Sequence, residues 1–362
     1  MSTQTPKPIV LHIGDPIKYN HDTYARFADQ FTVIRPPLEE LQRSKFITAL
    51  KERRWGDFSA IFRPFWNTGG EMGNWDEELI SLLPTSAKVF ASAGAGYNWV
   101  DTALLARKGV LYCNGASASS ESVADMAIFL ILSVFRNTTW SQLAARSLST
   151  ERWLDAHQNS AAISYNPRGH TLGIVGLGNI GYMIAQKAFA AFGMRIAYHD
   201  LYRKPREQEE AVQATYYDDL DALLSLSDCV LIATPFEGKT LIDAERLQKF
   251  KKGSRFINIA RGSLVDEAAL VEALKSELIC AAGLDVHAHE PEVNPDLVTM
   301  DNVALTCHTA GASVDAHVGF ERLAMENIEG YLMKGRALTP VNLHLLKESS
   351  HAKRVALDSA SL

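Results

Sequence analysis

Three stretches of this chain carry side chains able to handle protons and anions: INIARGSLVD presents Arg261, GLDVHAHEPE presents Asp285 and Glu290, and LTCHTAGA presents His308. A histidine that titrates near neutrality can hand a proton to a nascent oxyanion and recover it. A neighbouring carboxylate stabilises the imidazolium, and an arginine can hold a carboxylate while polarising a carbonyl. Each residue also has a plain structural use. Alone, His308 could simply end a strand and Arg261 could form a surface ion pair. A fourth stretch, GIVGLGNIG, spaces Gly176, Gly178 and Gly181 as GxGxxG, directly after one strand pattern and at the start of the helical run NIGYMIAQKAFAAF. In that context the glycines permit a tight turn, close approach to a pyrophosphate and close helix packing. The amides of Asn179 and Ile180 at the helix start would face the phosphates. The next strand pattern, RIAYHD, ends at Asp200, 19 residues beyond Gly181, where a carboxylate can accept bonds from both ribose hydroxyls and repel a 2′-phosphate. NAD is therefore favoured over NADP, although Arg203 and Lys204 follow closely and leave NADP open.

These residues need strands to end beside one another. Short β-branched runs alternate with longer helical patterns along most of the chain, the mark of parallel sheets wrapped by helices. A first set of strands reads as PIVLHIG, FTVIRP, SAIFRPF, AKVFASA and VLYCN, with amphipathic segments such as LEELQRSKFITALKERR between them. A second set reads as TLGIVGLGNIG, RIAYHD, CVLIATP, RFINIA, CAAGLDV and NVALTCH, followed by the helical pattern AHVGFERLAMENIEGYLMKG. The fold class expected is α/β, with two Rossmann-like domains built on parallel sheets, the first flavodoxin-like and the second binding the dinucleotide. Residues 1–118 form the first segment of the substrate domain, 119–311 the NAD-binding domain, and 312–362 return to the substrate domain. The active site is expected in the cleft between them, where closure would exclude water.

A length of 362 residues suits two domains, and 47% hydrophobic with 22% charged residues is an ordinary globular composition. A net charge of -6 argues against nucleic acid or an anionic membrane as partner. The longest apolar run, MAIFLILSVF, has ten residues where a span needs about 20, so it reads as a buried helix. MSTQTPKPIV lacks a cationic and apolar signal pattern, and SASL resembles a peroxisomal address only loosely, so a cytoplasmic location is expected. Cys113, Cys229, Cys280 and Cys307 lie far apart and read as reduced, buried thiols. His287, His289 and Glu290 in HAHE need not converge on a local turn, and no metal site is expected.

Taken in order, GLGNIG, NIARGSLVDEAAL, AGLDVHAHEP and CHTAG resemble the D-isomer-specific 2-hydroxyacid dehydrogenase family over nearly the whole chain. Within it, the early GDP, SAGAGYNWVD, LILSVFR and NPRGHTLGIVGLG resemble the fungal D-mandelate dehydrogenases. The resemblance implies an oxidoreductase that reduces 2-oxo acids with hydride from a nicotinamide. It assigns Arg261 to the substrate carboxylate and carbonyl oxygen, His308 as general acid and base, and Glu290 as its partner. Asp285 would bond the nicotinamide carboxamide. Thr234, Pro235, Ala260, Val123 and Gly311 would line the cofactor, and the amides of Ala95 and Gly96 would grip the substrate carboxylate. It also implies a homodimer.

Two departures from the family pattern stand out: Asn98 replaces the usual aspartate, and Cys307 replaces the usual proline before the histidine. Phe65, Trp66, Tyr97 and Trp99 could form an aromatic wall for a bulky 2-oxo acid such as phenylglyoxylate, or pack in the core. An NADPH-preferring glyoxylate or hydroxypyruvate reductase is the nearer alternative, and a dinucleotide-sensing protein resembling the transcriptional corepressors is the more distant one. Formate dehydrogenase is disfavoured, since it pairs glutamine with the histidine where this chain has Glu290.

Overall fold

A computed structural model describes residues 6–65, 72–236 and 238–346; Trp66 and the SASL tail lie outside the described residues. The chain divides into two compact units, 1–119 with 313–362, and 120–312.

The first unit holds a five-stranded sheet of β1 (Ile9–His12), β2 (Thr32–Ile34), β3 (Ala60–Arg63), β4 (Val89–Ser92) and β5 (Leu111–Cys113). Its order is β2-β1-β3-β4-β5 and every pairing is parallel, the flavodoxin-like arrangement. β3, β4 and β5 are buried throughout. Their short apolar runs show no alternation because helices cover both faces. One cover is the helix Val314–Lys334, whose Ala324, Met325 and Ile328 pack with Val10, Phe62 and Val89. The expected amphipathic segment LEELQRSKFITALKERR is not continuous. Gln42, in extended conformation, separates a 3-10 turn Leu38–Leu41 from the α-helix Arg43–Lys51.

The second unit holds β6 (Thr171–Val175), β7 (Arg195–His199), β8 (Thr215–Tyr216), β9 (Cys229–Ile232), β10 (Ser254–Asn258), β11 (Ile279–Leu284) and β12 (Val303–Leu305). The order β12-β11-β10-β9-β6-β7-β8, all parallel, is a Rossmann order extended by one strand. Strand order reverses between β6 and β9, which pair from Leu172 with Cys229 to Val175 with Ile232. Ligands in open α/β sheets settle beyond the carboxyl ends at such a reversal. The two-residue edge strand β8 is a feature the sequence patterns did not reveal.

The helix Ala116–Arg136 is long and apolar enough, by length and composition, to cross a membrane. Its Ala127, Leu130, Ile131, Val134 and Phe135 instead pack with Leu172, Ile174 and Leu231 of the second sheet. Of the four cysteines, Cys113 and Cys229 are buried and Cys280 is half-buried. Cys307 is exposed, which corrects the expectation of a buried thiol there. It lies on the surface turn that follows β12.

One polar residue organises the chain around β1. Glu321, on the helix Val314–Lys334, is 1% exposed. Its carboxylate accepts bonds from the backbone amides of Lys18, Tyr19 and Asn20 and from the Asn20 side chain, at 2.7 to 3.1 Å. Burial alone would raise this carboxyl, but those donors outweigh it and hold it below the usual glutamate range. A carboxyl depressed on folding adds stability above its unfolded value, and that stability is lost as pH falls through the folded value. Glu321→Ala should therefore cost roughly 2 to 4 kcal/mol by stranding buried donors. Denaturant unfolding at pH 7 and at pH 3 should show the difference between variant and parent shrinking at the lower pH.

Candidate active site

The glycine turn begins where β6 ends. Gly176 has φ +96°, and a Cβ there would lie 2.8 Å from the Ala233 carbonyl oxygen at the end of β9. A side chain on Gly181 would meet the Gly176 carbonyl at 2.1 Å, so this glycine lets the helix Asn179–Phe192 sit against the turn. Space around Gly178 is open, with nothing within 4 Å of the position a Cβ would occupy. No side chain caps this helix at Gly178. Its first amides, from Asn179, Ile180 and Gly181, are therefore available to an anion, with the helix dipole favouring negative charge.

Asp200 follows β7. Its Oδ2 accepts from the Leu177 amide at 2.9 Å, which ties this carboxylate to the glycine turn. The Lys204 ammonium lies 3.2 Å from the same oxygen. Arg203 is directed elsewhere, in a two-pronged bond to the nearly buried Glu209 at 2.9 Å per prong. Thr234 is half-buried and Pro235 exposed in the segment after β9. Val123 lies in the core under the sheet, while Ala260 and Gly311 are half-buried. An open Gly178, an uncapped helix start and an acidic strand end suit a dinucleotide without a steric conflict.

Beyond β10, β11 and β12 the three chemistry-bearing segments come together. Asp285, 1% exposed, accepts from the Thr306 hydroxyl at 2.7 Å and the Thr309 amide at 2.9 Å through Oδ1, and from the Ala310 amide at 3.0 Å through Oδ2. Its backbone carbonyl accepts from the His308 amide at 2.7 Å. These bonds hold His308 at φ +53°, a left-handed conformation that a residue other than glycine keeps only when its surroundings impose it. A carboxylate has about four acceptor directions, and three are used inside this turn. Asp285 thus sets the direction of the His308 side chain.

His308 Nδ1 lies 2.8 Å from Glu290 Oε2. An ionised carboxylate only accepts, so Nδ1 carries the hydrogen and Nε2 is the atom left to exchange a proton. Glu290 Oε1 accepts from the His287 amide at 3.0 Å. Burial pushes the Glu290 carboxyl up, yet the bonds from His308 and His287 prevail and its pKa is lowered. Arg261 stands after β10 in extended conformation and opens the 3-10 turn Gly262–Leu264. Burial pulls the guanidinium below the usual arginine value, while the charge of Glu290 opposes that pull. It stays cationic at any working pH. The members of HAHE are engaged individually, with the His287 ring on the Thr306 carbonyl, Glu290 on His308, and His289 exposed.

In the first unit, the loop after β4 is held by its carbonyls. The Asn114 side chain donates to Ala95 at 2.9 Å, and the Gly115 amide donates to Gly94 at 2.7 Å. Ala95 and Gly96 are half-buried and Asn98 exposed. Tyr97 and Trp99 pack on the core of this unit, and Trp99 lies face-on to the Arg63 guanidinium at 4.2 Å. Phe65 instead stacks against His317 at 3.7 Å between ring centres. Sequence reasoning weighed His287 only as a metal ligand, and it missed Arg63 and Glu321, whose partners are distant in the chain.

A parallel Rossmann sheet with a glycine turn, an acidic strand end and a paired histidine and glutamate is the frame of a nicotinamide-dependent oxidoreductase. The family description "D-isomer specific 2-hydroxyacid dehydrogenase, NAD binding domain" matches residues 128–310. The chain is 40% identical to D-mandelate dehydrogenase of Rhodotorula graminis, covering 93% of this chain and 98% of that one with a TM-score of 0.90. A glyoxylate reductase from Paecilomyes thermophila is 33% identical over 93% of this chain and 99% of its own, with a TM-score of 0.84. An NADPH-dependent glyoxylate/hydroxypyruvate reductase from Sinorhizobium meliloti is 33% identical over 92% and 97%, with a TM-score of 0.73. The chain belongs to the D-isomer specific 2-hydroxyacid dehydrogenase family; it is an oxidoreductase, and its second unit is the family's NAD-binding domain.

Gly181→Ala should place a Cβ against the Gly176 carbonyl and displace the helix from the turn. NADH titration by fluorescence should show binding weakened by about tenfold or more, since the phosphate cradle depends on that close approach.

Proposed function

We propose that the protein is an NAD-dependent D-2-hydroxyacid dehydrogenase that reversibly reduces bulky or aromatic 2-oxo acids, phenylglyoxylate to D-mandelate being the pair to try first. The observation that carries the reading is the 2.8 Å bond between His308 Nδ1 and Glu290, which leaves Nε2 to act on substrate. The Gly176 turn, the amides at the start of the helix Asn179–Phe192 and Asp200 would hold the nicotinamide cofactor, which when bound would supply the hydride in reduction and accept it in oxidation. His308 Nε2 delivers the proton to the forming alkoxide during reduction and removes it during oxidation. Glu290 stabilises the imidazolium that each cycle requires. Arg261 binds the substrate carboxylate and draws electron density from the carbonyl oxygen as charge develops there. The amides of Ala95 and Gly96 serve as further carboxylate donors. Asp285 fixes the turn that carries His308 and offers its remaining acceptor direction to the nicotinamide carboxamide, with Thr234, Pro235, Ala260, Val123 and Gly311 along the cofactor.

A bulky substrate is supported by the likeness to D-mandelate dehydrogenase. One observation favours a second reading, an NADPH-using glyoxylate reductase: Lys204 partly neutralises Asp200 and could receive a 2′-phosphate. We also infer a homodimer in the cytoplasm. Leu148, in the turn before the helix Thr150–Ile163, is 96% exposed, and Trp153, Leu154 and Ile163 on that helix are exposed as well. Exposed large apolar side chains on one unit fit contact with a second copy of the chain.

His308→Gln should lower kcat for reduction by about 10²- to 10⁴-fold, the usual worth of a general acid, while NADH affinity stays within about twofold. Near-normal turnover would place the acid elsewhere. Reduction needs the protonated imidazole and oxidation the neutral one. Thus kcat/KM should fall with rising pH for phenylglyoxylate and rise for D-mandelate. Parallel assays with NADPH and with glyoxylate test the second reading, which a preference for either compound would support. Leu148→Asp should shift the sedimentation coefficient to that of a monomer.

A further inference from the structure

We infer that His287 is a positioning residue that holds the Glu290 and His308 segments in register through both its backbone and its ring. Its amide donates to Glu290 Oε1 at 3.0 Å. Its ring Nε2 lies 2.8 Å from the Thr306 carbonyl, two residues before His308. Glu290 Oε2 in turn accepts from His308. The four groups close a loop: His287 to Glu290, Glu290 to His308, along the chain to Thr306, and back to the His287 ring. Every hydrogen-bonded link in the loop has a donor and an acceptor of fixed sense, because a carbonyl and a carboxylate can only accept.

The third catalytic segment is keyed to the same residue. A Cβ on Gly262 would lie 2.0 Å from both the carbonyl carbon and the oxygen of His287, so the residue after Arg261 rests directly on the His287 backbone. Arg261, Glu290 and His308 each stand within three residues of an atom that touches His287 or belongs to it.

Packing does not account for an imidazole here. The residue is 6% exposed, and with Nε2 donating to Thr306 the neutral ring leaves Nδ1 as a buried acceptor with no partner among the described residues. Burying an unpaired ring nitrogen costs free energy that a phenyl ring of similar size would not. The N–H on the opposite side of the ring is the feature a phenyl lacks, and its one use is to fix the Thr306 carbonyl.

This inference rests on the reading of His308 and Glu290 as the acid and base pair, and the experiment separates the two. His287→Phe keeps the volume and loses the donor. His287→Asn stays polar with an amide too short to reach, and His287→Gln carries an N–H near the position of Nε2. In the Phe and Asn variants, kcat/KM for phenylglyoxylate should fall about tenfold, mostly in kcat, the scale of one buried hydrogen bond. The limb on which reduction declines with rising pH should move to lower pH, since a loosened Glu290 supports the imidazolium less. NADH affinity should stay within about twofold, and the Gln variant should recover most of kcat and the parental pH profile. Parental kcat and pH profile in the Phe or Asn variant would overturn the inference, as would an equal loss in Gln. If His308→Gln itself turns over normally, the acid and base reading fails first. If it is inactive while His287→Phe is normal, only the role of His287 is lost.

Discussion

A carboxylate cannot be buried without donors, and the Asp285 side chain obtains them by folding the segment Thr306 to Ala310 around itself. The placement of His308 depends on that requirement. It forces His308 into a left-handed backbone that costs about 1 kcal/mol or more for a non-glycine residue, and the wrapped amides hold it there. The side chain so directed meets Glu290, which is itself fixed by the amide of His287, two residues after Asp285. The parallel sheet contributes what no local turn could. β10, β11 and β12 are neighbours whose carboxyl ends lie on one edge, so residues 261, 285 to 290 and 308 are adjacent despite their separation in sequence.

Much of this was legible in the sequence. Buried parallel strands announce themselves as short β-branched runs, and the glycine spacing fits the clashes that a Cβ would make at Gly176 and Gly181. The family motifs marked Arg261, Glu290 and His308. What stayed hidden has physical reasons. β8 is two residues long and carries no period to detect. Glu321 meets donors about three hundred residues away, and no local pattern encodes that contact. Arg203 looked like a partner for a phosphate, but Glu209 lies one helical turn beyond Pro205 and captures it. Tyr97 and Trp99, candidates for a pocket wall by composition, are half-buried and pack against the core with ring contacts to Phe90 and Tyr112. These contacts depend on burial or on a partner outside the local sequence, which residue type alone does not encode.

The ribose end shows how charge neighbours refine a simple rule. An acidic strand end repels a 2′-phosphate when it stands alone. Here Asp200 shares its Oδ2 between the Leu177 amide and the Lys204 ammonium. The pair is mostly shielded from solvent, so the lysine reduces the repulsion more than a surface lysine would. The Lys204 ammonium thus weakens the charge contrast on which that rule relies. Glycine spacing contains no information on such a neighbour.

Asp285 and Glu290 show the same logic acting within one short segment. They are five residues apart, of the same charge type, and both within reach of the His308 turn. Depth separates their work. Asp285 is sealed and spends its acceptor capacity on hydroxyl and backbone donors, which makes it a fixed support for the turn. Glu290 keeps about a third of its side chain exposed and faces an ionisable ring, so its interaction strengthens when that ring gains a proton and weakens when the proton leaves. A carboxylate that faces an ionisable ring responds to the charge state of its neighbour, whereas one held by neutral donors does not. The fold assigns the two tasks by placing one carboxyl inside the strand layer and the other just beyond its edge.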